Sequence, residues 1–534
     1  MSGQMTLQEQ LESGLSHHQA GRLAEAEKVY RQILTQQPGH TGALHLLGVM
    51  AHQMGRDDDA VDLIRRALAI NPNYAEAHNN LGNLLKEKGQ LDEAIAAYRQ
   101  AVALKPNYAQ AHNNLGNSLR DKGELDEAIA ACRRAIALNP KSAESHNNLG
   151  NALIDKGQCD EAIAAYRQAV ALRPGYAQAY SNLGNALKNK GQLDEAIAAC
   201  RQAIALNPTY AKARSNLGIA LQGKGQVDEA IAAYRQAIGL DPNLPEVHGN
   251  LGNALQDSGQ LEEAIAAYRQ AIRLKPEYAE AYYGLGQALQ RAGQVEAASA
   301  AYREAIRLKP DSPGWQFKLA ALLGDRSTVT APAQYVRELF DEYAAKFDKH
   351  LVEKLKYQVP QLLLRAVGQA TPRRVLDVLD LGCGTGLCGR EFRPYARRLV
   401  GVDLSPAMIR AAEARGIYDQ LITGELLPAL RDAPGSYDLI VAGDVLVYVG
   451  DLTDLMPAVA RALRSGGLFA CSIEDYDGEG FSLHSEARFA HSIGYVREMA
   501  RESGLSEVSA DKSALRCNAG AEVLGWIVVF SNLD

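Results

Sequence analysis

Asp380-Leu381-Gly382-Cys383-Gly384-Thr385-Gly386 is the stretch of this 534-residue chain best suited to chemistry. Three glycines at alternate positions take away the Cβ where the chain must bend sharply and where a ligand must approach backbone. The run before it, Arg374-Val375-Leu376-Asp377-Val378, predicts a buried parallel strand near 374–381. A second β-rich run, Arg398-Leu399-Val400-Gly401-Val402, ends in Asp403. A carboxylate at the tip of a second strand is placed to accept hydrogen bonds from a ribose diol. A nucleoside-bearing cofactor is the natural occupant.

Three cofactors compete for this turn. A dinucleotide fingerprint needs glycine or alanine at 387, where the chain has Leu. A phosphate loop over Gly384–Gly389 continues with Lys and Ser or Thr, but Arg390 and Glu391 follow, without a hydroxyl for magnesium. The third is S-adenosylmethionine. Asp380, Gly382, Gly384 and Gly386 resemble, position by position, the first motif of the class I methyltransferases, an acid followed by Gly-x-Gly-x-Gly. The resemblance implies a cofactor site built from these residues with Cys383, Asp403, Leu404, Met408, Glu425, Leu426, Asp444 and Tyr343. In it Met408 offers an apolar surface to the adenine. Glu425 stands where the family reads the adenine amine, usually with Asp.

Alternating strand and helix patterns must position these residues. Strands are expected near 374–381, 398–402, 420–423, 437–442, 467–473 and 523–530, with helices such as Pro406–Arg415 and Leu452–Leu463 between them. That is an α/β Rossmann-like, doubly wound sheet with its ligand at the carboxyl ends of the strands. The triplet Val-Leu-Asp is doubled over 375–380, and Asp380 keeps the functional distance to the glycines. Ahead of the first strand, Tyr335, Leu339, Phe340, Tyr343, Phe347 and Leu351 trace an amphipathic helix. Its segment 340–348 resembles the helix that lids the cofactor in many methyltransferases, which brings Tyr343 within reach. Core packing is the competing role for these aromatics.

Methyl transfer from a sulfonium needs mainly an in-line arrangement of nucleophile, methyl and sulfur. A base is required only for acceptors protonated at working pH. Asp444 and Tyr448, at the exit of the fourth strand, and His491 are the catalytic candidates, with Glu474 and Tyr495 behind them. His491 and Tyr495 are expected on one face of a helix. No Asn-Pro-Pro-Tyr segment follows the fourth strand, so the nucleophile stays open.

The N-terminal half has another organisation. Prolines at 38, 72, 106, 140, 174, 208, 242, 276 and 310 repeat at a constant interval, and Gly82 and Ala94 recur with the same step. The period of 34 residues, with Leu81-Gly82, Ala94, Tyr98, Ala101 and Pro106 showing one copy, resembles the tetratricopeptide repeat. The resemblance implies an all-α right-handed superhelix of about nine copies with a concave inner face. The expected domains are the repeat array at 1–312, a closing helix and linker at 313–330, and the methyltransferase domain at 331–534.

One column of that array has no packing explanation in the sequence. Asn80, Asn114, Asn148, Asn182, Asn216 and Asn250 precede successive Leu-Gly pairs, and the column breaks at Leu46 and Gly284. Asn is a mediocre helix former, yet its amide matches a peptide unit's own donor and acceptor. The pattern resembles the asparagine ladder of O-linked N-acetylglucosamine transferase, which grips extended polypeptide. A polypeptide partner in the concave groove is expected; ordinary repeat consensus is the competing explanation.

Composition narrows the rest. A net charge of −7 without a long basic run argues against nucleic acid as partner. The longest apolar run, 523–530, is too short to cross a bilayer, and residues 1–10 lack a signal-peptide core. A cytoplasmic protein is expected. Cys132 and Cys200 replace a repeat Tyr and read as core filling, while no cysteine shows metal-ligand spacing. The combined expectation resembles bacterial proteins in which a tetratricopeptide array recruits a polypeptide and an S-adenosylmethionine-dependent methyltransferase acts on it. The alternative is a scaffold whose methyltransferase half is degenerate or serves a small molecule.

Overall fold

The computed structural model describes residues 5–372, 375–518 and 521–533, so Arg374 lies outside the described residues. The chain packs as two compact units, Met1–Gly259 and Gln260–Asp534.

The first unit consists of helical hairpins at the expected period. Leu81, Leu84 and Leu85 of the helix Ala75–Glu87 are buried, as are Ile95, Tyr98 and Ala101 of Leu91–Leu104. Pro106 follows the second helix, whose last carbonyls are left to the turn because proline has no N–H to continue the ladder. Close approach within each hairpin depends on glycine: a Cβ on Gly150 would sit 2.5 Å from the ring of Tyr166. Cys132 and Cys200 take the same site in alternate copies and are fully buried, as expected of core filling. Ion pairs such as Arg133–Glu161 (2.8 Å) and Arg167–Glu195 (2.7 Å) link successive repeats, and exposed pairs of this kind contribute little individually.

The second unit contains further repeat helices, Leu261–Leu274, Ala279–Arg291 and Val295–Leu308, and a last helix, Pro313–Leu323. A mixed sheet follows. Strands β1 (Leu376–Leu381), β2 (Ala396–Asp403), β3 (Gln420–Thr423), β4 (Tyr437–Ala442) and β5 (Leu463–Glu474) run parallel in the order β3-β2-β1-β4-β5. All six residues of β1 are buried, as a strand covered on both faces requires.

The sheet departs from the sequence reading beyond β5. β6 (Phe481–His484) and β7 (Arg488–His491) form a separate hairpin. β8 (Leu505–Asn518) and β9 (Ala521–Asn532) complete the sheet as antiparallel β5-β9-β8. His491 therefore ends a strand, not a helix; the helix carrying Tyr495 begins at Ile493. The two rings still meet, stacked at 6.2 Å between centroids. Phe489 of the hairpin packs on Phe317 of the last helical segment, 6.1 Å between centroids. Among the described residues, no helix is long and apolar enough to cross a membrane.

Candidate active site

A cavity of about 600 Å³ opens over the carboxyl ends of β1, β2, β3 and β4. Its floor contains Gly382, Cys383 and Gly384 after β1, Asp403 and Leu404 at the end of β2, Glu425 and Leu426 after β3, and Asp444 and Tyr448 after β4. The topology accounts for this convergence: the crossovers return on opposite sides of β1, leaving a crevice at the point of reversal.

Asp403 joins the two halves of the floor. One carboxylate oxygen accepts the Gly384 N–H at 2.8 Å and the other accepts the Ser405 N–H at 2.9 Å. Burial raises its pKa, against the lowering effect of these bonds. Gly384 has φ +53°, and a Cβ there would project toward Phe347, 3.7 Å from its ring, into the space between loop and roof. The roof is the amphipathic segment foreseen in the sequence. Phe340, Tyr343, Phe347 and Leu351 line the cavity. Asp341 fastens this segment by accepting from the Ser405 hydroxyl (2.5 Å) and the Ala407 N–H (3.1 Å). Asp348 accepts from the Thr385 hydroxyl at 2.5 Å and pairs with Arg415. Tyr343 also bonds His350, within a segment that turns π-helical over His350–Lys354.

Four expected site residues stand elsewhere. Asp380 turns beneath the loop, 1% exposed, and accepts a hydrogen bond from Tyr418 at 2.6 Å. Burial pushes its pKa up to about 7. Gly386 caps the helix Leu387–Phe392 with φ +95° and is off the cavity wall. Met408 is fully buried and also absent from the wall, because Ser405 and Pro406 start its helix with that side chain turned into the core. His491 is fully buried too. Its Nε2 faces the carbonyls of Val449 (2.9 Å) and Gly450 (3.0 Å), so it carries the proton, and burial lowers the pKa to about 4. A neutral imidazole spent on backbone carbonyls has no access to the cavity, so it does not act as the base proposed for it.

The wall beside Asp444 and Tyr448 holds residues that the sequence alone does not single out. Arg488 of β7 and Arg516 of β8 line the cavity with Tyr357. Arg488 bonds Glu474 (2.7 Å) and Asp444 (3.1 Å), and Arg516 bonds Glu474 (2.5 Å) and Asp444 (3.3 Å), closing a four-membered ionic cluster. Burial raises the pKa of Glu474, but Arg488 and Arg516 outweigh it and hold the carboxyl below its usual range. Asp444 sits at φ +60°, a conformation that costs a non-glycine residue free energy and collects at functional sites. Its N–H is held by the Ser472 hydroxyl at 2.8 Å. Both arginines lie in elements whose strand pattern is weak, which left only isolated basic residues to see.

In the first unit the asparagine column has structural partners. Asn114 donates to Asn79 (3.1 Å) and Asn83 (3.0 Å) of the preceding repeat, Asn148 to Asn113 (3.1 Å), Asn182 to Asn147 (3.0 Å) and Asn216 to the Ser181 hydroxyl (3.0 Å). Asn80 meets His45 at 2.9 Å. Five of the six column residues, Asn80 to Asn216, thus have a packing role between copies that the sequence does not disclose. Asn79, Asn113 and Asn147 are buried, and Asn148→Ala would leave the Asn113 amide without its partner. A loss of about 1–3 kcal/mol in the unfolding free energy by urea titration is expected for that single change.

Family models match both parts of the chain. Tetratricopeptide-repeat families match residues 17–84 and 79–143, and the C-terminal domain of cilia and flagella-associated protein 70 matches residues 142–354. A methyltransferase-domain family matches residues 379–469. An uncharacterized methyltransferase of Schizosaccharomyces pombe is 34% identical over 116 residues, 21% of this chain and 45% of that protein. A malonyl-[acyl-carrier protein] O-methyltransferase of Pseudescherichia vulneris is 30% identical over 135 residues, 25% of this chain and 51% of that protein. The chain thus spans about half the length of these curated relatives. Among solved structures, MamA is 31% identical, covering 31% of this chain and 97% of that one with a TM-score of 0.28. The chain carries tetratricopeptide repeats in its N-terminal part and a Rossmann-like methyltransferase domain in its C-terminal part.

Proposed function

We propose that the C-terminal domain is an S-adenosylmethionine-dependent methyltransferase and that the repeats hold a polypeptide partner or substrate. The observation that supports the cofactor reading is the cradle formed by Gly384 and Asp403, a bare backbone position facing a roof of aromatic rings. When bound, S-adenosylmethionine supplies an electrophilic methyl group on a sulfonium. Beyond its backbone bonds the Asp403 carboxylate keeps acceptor capacity for a ribose hydroxyl. Leu404 and Leu426 offer apolar walls and Glu425 an acceptor for an exocyclic amine. Phe340, Tyr343 and Phe347 exclude water from the reacting centre. Asp380, Gly386 and Met408 support this floor from behind. Asp444 and Tyr448 face the acceptor, with Asp444 fixed by two guanidinium groups.

Calorimetric titration of the full chain with S-adenosylmethionine tests the cofactor. Heat with a one-to-one endpoint is expected. A folded chain that gives none leaves a scaffold with a degenerate domain.

For the repeats, Asn80, Asn114, Asn148, Asn182, Asn216 and Asn250 are the peptide contacts of this reading, but the first five also tie copies together, so replacing them confounds binding with stability. Asn117 and Asn185 separate the two. The equivalent Asn83 and Asn151 accept from Tyr98 and Tyr166 at 2.7 Å, whereas Cys132 and Cys200 leave Asn117 and Asn185 without that hydroxyl. The double change Asn117→Ala and Asn185→Ala should weaken capture of polypeptide partners and leave the melting temperature nearly unchanged. Undiminished capture would show that these amides take no part in holding a partner.

A further inference from the structure

We propose that the methyl acceptor is a carboxylate on an apolar body, held by Arg488 and Arg516, so that the product is a methyl ester. The proposal rests on the methyltransferase reading above and adds the substrate class.

Geometry comes first. The two guanidinium groups reach one end of the cavity from different elements, β7 and β8, and converge on the same pair of carboxylates. Arg488 spends Nε on Glu474, one Nη2 proton on Asp444 and one Nη1 proton on the Tyr448 hydroxyl at 3.4 Å. Arg516 spends Nη1 on Asp444 and Nη2 on Glu474. A guanidinium has five N–H groups, so each arginine retains donors after these bonds. A fork of donors at the wall of a cavity is the arrangement that orients a carboxylate. Asp444 and Glu474 neutralise the pair and hold it rigid, which keeps two cations tolerable in a largely apolar chamber.

The remaining side chains point the same way. Amines and hydroxyls need a base to accept a methyl group, whereas a carboxylate is already an anionic nucleophile. No histidine lines the cavity among the described residues. Of the carboxylates on or beside the cavity wall, Asp444 and Glu474 are each bound to both arginines, Asp403 and Glu425 belong to the nucleoside end, Asp451 accepts from the Thr453 N–H (3.0 Å) and the Tyr495 hydroxyl (3.2 Å), and Asp454 is exposed to solvent. Burial raises the phenols of Tyr357 and Tyr448 and the thiols of Cys383 and Cys388, so none of these takes up a proton near neutral pH. Ala331, Val336, Leu339 and Phe340 complete the wall beside Tyr448, whose ring lies 5.5 Å from that of Phe340. This surface suits a hydrocarbon body.

The step balances without any proton transfer. One oxygen of the acceptor carboxylate supplies the electron pair for the new O–CH₃ bond, the CH₃–S bond breaks, and its pair goes to sulfur, which becomes a neutral thioether.

Two measurements on the full chain test this. Calorimetric titration with octanoate, octylamine and octan-1-ol should show octanoate binding best, and Arg516→Lys, which keeps the charge and loses the fork, should weaken octanoate at least about tenfold. Because Arg488→Gln leaves buried carboxylates unpaired, its melt is recorded alongside its titration. Octylamine or octan-1-ol binding as well as octanoate, or an unchanged affinity in Arg516→Lys, overturns the proposal. In the second measurement, methyl-labelled S-adenosylmethionine is incubated with the chain and a cell extract, and products are treated with mild alkali. Release of volatile labelled methanol supports a methyl ester. Alkali-stable label overturns the carboxylate while the methyltransferase reading stands. No binding of S-adenosylmethionine in a parallel titration removes that reading itself.

Discussion

Raising the pH from 4 to 7 should cost the C-terminal domain up to about 4 kcal/mol of stability through Asp380 alone. Its folded-state pKa is raised from 3.8 to about 7, first by burial and further by the charge of Asp403, against the opposing bonds from Tyr418 and the Gly389 N–H. Between those values the folded chain keeps a proton that the unfolded chain has released. The contribution is thus fully present below the unfolded pKa and gone once the pH passes the folded one. His491 has the opposite sign. Its pKa falls from 6.5 to about 4 on folding, so it adds stability above pH 6.5 and loses up to about 3 kcal/mol as the pH falls toward 4. The two slopes overlap, so the total curve is uninformative. The comparison that isolates Asp380 is the difference between wild type and Asp380→Asn, in which the amide oxygen still accepts from Tyr418. Urea unfolding at pH 4.5 and 7.5 should show the variant gaining relative to wild type as the pH rises. Parallel curves would show that Asp380 is ionised in the folded chain.

On the proposed cofactor reading, Asp403→Ala should weaken S-adenosylmethionine binding by about 1.5–3 kcal/mol, roughly 10- to 150-fold, the loss expected for charge-assisted bonds to a ribose. The structure adds a second component. The same carboxylate holds the N–H groups of Gly384 and Ser405, so its removal also loosens the loop that shapes the site. Asp403→Asn separates the two effects: its carbonyl oxygen retains one acceptor site while the charge is gone. The expected order of affinity is wild type, Asp403→Asn, Asp403→Ala, read by calorimetry, with the melt without cofactor reporting the loop. Equal affinities in all three would remove the ribose role from this residue.

The sequence alone determined the two-part design. A strict 34-residue spacing is a local signal, because each helical hairpin is defined by its own proline, glycine and alanine positions and repeats them. Four of the five parallel strands were legible for a related reason: β1, β4 and the carboxyl-terminal parts of β2 and β5 are buried and largely apolar. The glycine turn and Asp403 were visible because backbone geometry and a strand-end carboxylate leave residue-type signatures.

Tertiary structure decided what needed a third dimension. β8 is an edge strand, half exposed along most of its length, and the β6–β7 hairpin has only four residues per strand, so neither carries a strong alternation. With them went Arg488 and Arg516, which acquire meaning only when β7 and β8 bring them to Asp444 and Glu474. The direction of a side chain was equally beyond reach. Met408 and Asp380 hold the expected positions in sequence, yet their helix and strand turn them into the core. The asparagine column shows the same limit: a period of 34 says that the residues align, and only the stacked copies show that Asn114, Asn148 and Asn182 donate to the repeat before them.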